Sequence, residues 1–167
     1  SATDQPIQLS PTSQPVFDPN AALQQHRIRG EFQQALYLLE TRAARTGWSA
    51  ETHIVAGNLW RSMGDSSRAL PHWEAAAQQN PTTDLLRQLA QFHIDDHAWR
   101  LAWERLQQLL AQSPNDAWGL HQAAMLIAPH DPSLARDYLL RTSSSRNRYS
   151  DTANRLLLTI GDQPQDP

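Results

Sequence analysis

The chain carries a small residue at a fixed interval, each time followed by a bulky one. Ala35, Ala69, Ala102 and Ala135 are spaced 34, 33 and 33 residues apart. Four residues after each stands a large apolar side chain, Leu39, Trp73, Leu106 or Leu139. Positions four apart lie on one face of a helix, so each pair predicts a helix with a buried stripe. Twelve residues before each alanine come Leu23, Gly57, Ala90 and Ala123; nine before come His26, Trp60, His93 and Leu126. These mark a preceding helix that ends near Gly30, Gly64, His97 or His130, where a glycine can take the left-handed C-terminal conformation. Small residues at positions 57, 90 and 123 let two helices approach closely. Polar residues then open the second helix: Glu31, Asp65, and Asp131 with Pro132 behind it as a cap followed by a first-turn proline. Asp18–Pro19 repeats that pair, and Pro81 and Pro114 end the second helix. Pro71 conflicts with a helix from about Ser66, but at the edge of the first turn it costs at most one hydrogen bond. Residues 150–161 form a further helix, with Leu156, Leu157 and Ile160 on one side, that caps the last unit.

Composition agrees. Ala and Leu number 22 each against 8 for Val and Ile together, and Asp outnumbers Glu 12 to 5, so an all-α protein rich in caps and turns is expected. Residues 1–16 hold three prolines among Ser, Thr and Gln with no helical period, and 162–167 read the same way. Both are expected to be extended or disordered, flanking a helical domain over 17–161. There is no cysteine and no lysine; all 14 basic side chains are Arg. Thiolate chemistry, the P-loop lysine and Schiff-base lysines are therefore excluded. A net charge of −3 and a pI near 6.1 do not point to nucleic acid or an anionic membrane.

The span 50–81 resembles a tetratricopeptide repeat: Gly57, Trp60, Gly64–Asp65, Ala69, Trp73, Ala76 and Pro81 all stand at that family's signature spacings. Residues 83–115 resemble a second copy in which His97 replaces the helix-ending glycine. Residues 16–49 and 116–149 resemble degenerate outer copies, the last with Pro129 near its turn and Thr142–Ser143 where apolar residues usually sit. The resemblance implies a right-handed superhelix of antiparallel helix pairs, about four repeats plus the capping helix. It also implies a non-catalytic module that presents a concave groove, lined by the first helices, to a peptide or protein partner. The expected groove residues are Gln24 and Arg27, then Glu51, Asn58 and Arg61, then Asp84, Arg87, Gln88, Gln91 and Asp95, and finally His121. Asn20, Val55, Leu120 and Ala124 flank them. Amide side chains suit the backbone of an extended peptide. Relatives that hold acidic chaperone tails use Lys, Asn and Arg; the matching positions here are Asn20, Gln24, Val55, Asp84 and Gln88, none of them basic.

Other chemistry is weaker. His93 and His97 share a helix face, a spacing that zinc pairs use, but both occupy structural slots of the repeat, and no metal or cofactor is expected. Arg141, Arg146 and Arg148 with Tyr149 make a small basic patch, read as a solvated turn and not a nucleic-acid site. Trp60 and Trp73 fall on core stripes, Trp99, Trp103 and Trp118 on or near helix-packing surfaces, and Trp48 in a loop as the most exposed. No nucleophile–base arrangement is legible, so no enzymatic activity is expected. The alternative to groove binding is an assembly role, as a homodimer or an accessory domain of a larger chain. The N-terminal composition and lack of cysteine favour an extracytoplasmic or tethered location over a cytoplasmic one, without direct membrane contact. One prediction follows from the missing cations: a calorimetric titration with an acidic C-terminal peptide should show no micromolar binding.

Overall fold

Small residues at fixed spacing let helices pair, and the computed structural model, which describes residues 19–161, shows those pairs. The described residues form nine helices and no strand: α1 (Pro19–Ile28), α2 (Phe32–Thr46), α3 (Ala50–Ser62), α4 (Ser66–Gln79), α5 (Thr83–Asp95), α6 (Trp99–Gln112), α7 (Ala117–Ile127), α8 (Pro132–Ser144) and α9 (Ser150–Gly161). Residues 1–18 and 162–167, which include the expected flanking segments, the expected first domain residue Phe17 and Asp18, lie outside the described residues. The chain divides into two compact units, one ending at Trp48 and one starting at Ser49. In the first, α1 pairs with α2 and buries Leu23, Ala35, Leu36, Leu39 and Ala43. In the second, α3 pairs with α4, α5 with α6 and α7 with α8, and α9 lies on α8.

The turns between paired helices follow from single residues. At the end of α3, Gly64 has φ +82°; its N–H donates to the Arg61 carbonyl at 2.9 Å and that of Asp65 to the Trp60 carbonyl at 2.9 Å. This double bond pattern with a left-handed residue is a Schellman stop. Gly30 repeats it after α1. His97 repeats it after α5 with φ +56°, its N–H reaching Ile94 and that of Ala98 reaching His93. A histidine thus holds a conformation that glycine holds elsewhere in the chain. The α7 end differs: His130 and Asp131 both donate to the Ile127 carbonyl, and His130 has no positive φ.

Caps start the helices. Asp65, Asp116 and Asp131 accept from the backbone N–H groups of Arg68, Gly119 and Leu134, and Ser49 and Thr82 cap α3 and α5 likewise. Glu31 makes no such cap; its carboxylate instead pairs with His26. Pro71 lies in the second turn of α4, not at the edge of the first, and is exposed, so the missing N–H removes one helical hydrogen bond on the solvent side.

Two apolar clusters fill the second unit. Ala69, Trp73, Ala76, Ala77, Leu85 and Leu89 join α4 to α5, with Ile54, Trp60 and Phe92 against them. Ala90, Leu106, Leu110, Leu120, Ala123, Ala124, Tyr138, Leu139 and Ala153 join α5 through α9. Leu156, Leu157 and Ile160 of α9 cover that second cluster, as expected of a cap. Thr142, at the position held by Ala76 and Leu109 in earlier repeats, is fully buried, its hydroxyl satisfied by donating to the Tyr138 carbonyl at 2.9 Å. Trp73 is 1% exposed, whereas Trp99 is 50% exposed, contrary to the packing role expected of it; Trp48 is half-buried where exposure was expected.

The tightest fit is between α3 and α4. A Cβ on Gly57 would fall 2.4 Å from Nε1 and 2.5 Å from Cδ1 of the Trp73 ring. Alanine is the better helix former by about 1 kcal/mol, yet Gly57→Ala should destabilise the fold by about 1–3 kcal/mol, because a fully packed indole has to move. Trp73→Ala should cost about 3–5 kcal/mol. In the Trp73→Ala background, Gly57→Ala should turn neutral or stabilising, a reversal that urea unfolding of the four proteins would read directly.

Candidate functional site

First-helix side chains that are not needed for pairing project to one side, and in the second unit they meet in a cleft of about 470 Å³. Arg61 and Ser66, the α5 residues Asp84, Arg87, Gln88, Gln91, Phe92 and Asp95, and Trp73 and Trp118 line it. Six of the expected groove residues, Arg61, Asp84, Arg87, Gln88, Gln91 and Asp95, therefore share one cavity. Asn58 joins them at its edge, its Oδ1 accepting from Gln88 Nε2 at 3.4 Å. Glu51 is exposed on the first turn of α3. His121 is half-buried and stacks on Tyr149, ring centres 5.2 Å apart, outside the lining. Gln24 and Arg27 belong to the first unit, where Arg27 donates to Gln24 at 3.4 Å.

The charges in the cleft are largely matched. Arg87 donates to Asp84 at 3.0 Å and also pairs with Asp116, the residue that caps α7. The hydrogen bond to Asp116 raises the Arg87 pKa further, so the guanidinium stays charged at any physiological pH. One arginine thereby ties α5 to the start of α7 and fixes one wall. Gln91 donates to Asp95 at 2.7 Å. The Arg61 guanidinium lies over the Trp73 ring, 5.5 Å from its centre. The aromatic part of the lining was legible only as core: Trp73 is core, but the cavity reaches it, and Trp118 and Phe92 are half-buried beside it.

A second cleft, of about 590 Å³, escaped the sequence altogether. It lies where the α5–α6 turn meets the end of α7, and Ile94, Trp99, Trp103, Met125, Leu126, Ile127 and Pro129 give it an apolar lining. Its α6 and α7 residues do stand at helical spacings, Trp99 with Trp103 and Gln122 with Met125 and Leu126, but such spacings read equally as core stripes, so nothing in the sequence sets them apart.

Elsewhere, buried polar groups bind helices together. His93 is 2% exposed and its Nε2 lies 3.0 Å from Glu74 Oε1, while the other Glu74 oxygen pairs with Arg105. Histidine, carboxylate and guanidinium thus link α5, α4 and α6. His97 faces solvent and lies at a tilt beside Trp99, ring centres 5.0 Å apart, so the two histidines of the expected pair serve different surroundings. Among the described residues no three His, Asp or Glu side chains gather as a metal site, and no helix is long and apolar enough to cross a membrane. Arg141 reaches the Pro114 carbonyl and Arg148 lies over Tyr149.

No family model and no curated protein matches the chain. Solved structures do. MamA AMB-1 is 15% identical with a TM-score of 0.67, covering 87% of this chain and 80% of its own. The 41-end form of MamA from Desulfovibrio magneticus RS-1 is 15% identical with a TM-score of 0.62, covering 86% and 92%. YrrB, described as a TPR protein with an unusual peptide-binding site, is 16% identical with a TM-score of 0.58, covering 87% and 73%. The chain has the tetratricopeptide-repeat fold. Within that fold the 470 Å³ cleft lies along the first helices of consecutive repeats, and the His93–Glu74–Arg105 link joins one repeat to the next.

The repeat also holds a pair of facing imidazoles. His53 Nδ1 and His72 Nδ1 are 3.0 Å apart across α3 and α4, so one nitrogen carries the proton and the other accepts it. Burial lowers the His53 pKa; burial and then the neighbouring His53 lower that of His72; burial lowers that of His121. A base whose folded pKa lies below its unfolded value of about 6.5 holds fewer protons when folded. The stability it guards is then full above about pH 6.5 and drains as the pH falls below it. The urea midpoint should drop between about pH 7 and pH 5, and His72→Gln should flatten that drop; an unchanged slope in the variant would contradict the assignment.

Proposed function

We propose that the chain is a non-catalytic interaction module whose first-helix cleft takes an extended peptide segment of a protein partner. The observation that carries this reading is the lining itself. Gln88, Gln91 and Asn58 supply amide donors and acceptors at the spacing of successive helical turns, above an aromatic floor of Trp73, Phe92 and Trp118. An extended peptide brings unpaired backbone N–H and C=O groups that amides can satisfy, and its alternate side chains need apolar contact. Because Arg87 is matched by Asp84 and Asp116, the cleft reads hydrogen-bond geometry more than net charge. The likeness to YrrB, itself described as having a peptide-binding site, supports the same reading.

The test is a selection of peptides from a random display library on the immobilised protein, followed by calorimetry of the selected sequence. Gln88→Ala, Gln91→Ala and Arg61→Ala should each weaken its binding about tenfold, as central contacts of an interface do. Full affinity in all three would overturn the proposal.

A further inference from the structure

We propose that the 590 Å³ apolar cleft is a second docking surface, and that its occupant is an amphipathic helix of a protein partner with carboxylates bordering its apolar face. The cleft shares no lining residue with the amide-lined one. Its lining holds both Trp99 and Met125, 50% and 48% exposed, whereas the other exposed large apolar residues, Ile28, Tyr37, Leu140 and Leu158, are scattered over α1, α2, α8 and α9. A Trp and a Met left open in one concave patch mark an interaction surface, since isolated exposed apolar residues are ordinary and clustered ones are not.

The lining chooses between kinds of partner. Its polar side chains are Arg100, Gln122 and His130. Three such groups cannot satisfy the backbone of an extended segment, but a helix satisfies its own backbone and brings only side chains. The charge is one-sided: Arg100 borders the cleft, and no Asp or Glu is among its lining residues. Arg100 is paired with Glu104 at 2.7 Å, four residues on in the same helix, and both are exposed. Such a pair contributes little and exchanges readily for an incoming carboxylate. Apolar anchors in the cleft with acidic residues at the border satisfy both features.

The probe is a synthetic helical peptide with Leu and Phe along one face and Glu on its borders, with a control in which Lys replaces each Glu. Fluorescence anisotropy should give micromolar binding for the Glu peptide and at least about tenfold weaker binding for the Lys peptide. Met125→Glu and Arg100→Glu should each weaken the Glu peptide by about tenfold or more. Leu140→Glu puts the same charge on an equally exposed residue outside the cleft and should leave binding unchanged. Circular dichroism of each variant checks that a loss is not unfolding. No binding of the Glu peptide, or equal binding of both peptides, overturns the proposal. So does a concentration-dependent dimer abolished by Met125→Glu, which would assign the cleft to a second copy. A peptide of residues 1–18 that displaces the probe would assign it to the chain's own N-terminal segment and overturn the proposal equally.

Discussion

Close approach of paired helices over side chains of one carbon or none is the constraint on which the second unit rests. Ala69, Ala102 and Ala135 have no exposed surface, and Gly57 lies so near the Trp73 ring that even a methyl group would collide. Where two backbones come this close, a bulky neighbour one turn away packs against the partner helix and reaches the next pair as well. Trp73, Leu106 and Leu139 do so, and their burial joins each pair to the next through the two apolar clusters. The spacing between first helices is thereby set, and with it the distances at which Arg61, Gln88 and Gln91 can converge.

Features written within one helix or its turn were legible; features written between helices were not. The stops at Gly30, Gly64 and His97 could be read because a left-handed residue leaves its mark at one position, and the caps Asp65 and Asp131 because each acts three residues away. The His97 position was found by register alone, since nothing about a histidine announces a positive φ. Arg87 with Asp116, Glu74 with His93 and Arg105, and His53 with His72 join residues on different helices, so their meeting depends on how helices stack. Trp99 was misjudged for a related reason. It opens α6, and a residue in a first turn has no preceding turn to fold over, so its period does not say whether a neighbour covers it. Of the expected groove residues, the six that share a cavity follow from register on α3 and α5. Gln24 and Arg27 were placed by the same register, but they stand in a separate compact unit.

Buried polar groups in this unit hold the stack in one arrangement. His93 takes the slot that Trp60 fills one repeat earlier, exchanging an indole for an imidazole that requires a partner. Glu74 supplies one, and it is itself held by Arg105, so three consecutive helices have to be in register for any of the three groups to be satisfied. An apolar residue there would tolerate a shift of one helix against the next; a buried histidine with a single carboxylate partner does not.

On the proposed reading the two clefts divide the chemistry of recognition between them, because one lining is amide-rich and the other apolar. The first is lined chiefly by α5, where long amide and charged side chains stand in rows and pair with one another across a turn or with a neighbouring repeat. A row of such groups suits a ligand whose own polar groups recur along its length. The second lies between the first turns of α6 and the latter half of α7, where Trp99, Trp103, Met125 and Pro129 leave an irregular apolar hollow. An irregular hollow cannot follow a repeating backbone, but it can enclose a few large side chains presented from a rigid element. A partner that carries both a flexible segment and a folded helix could therefore engage both clefts without competing with itself, and its apparent affinity would rise with the effective concentration of the second contact, with no new contact required.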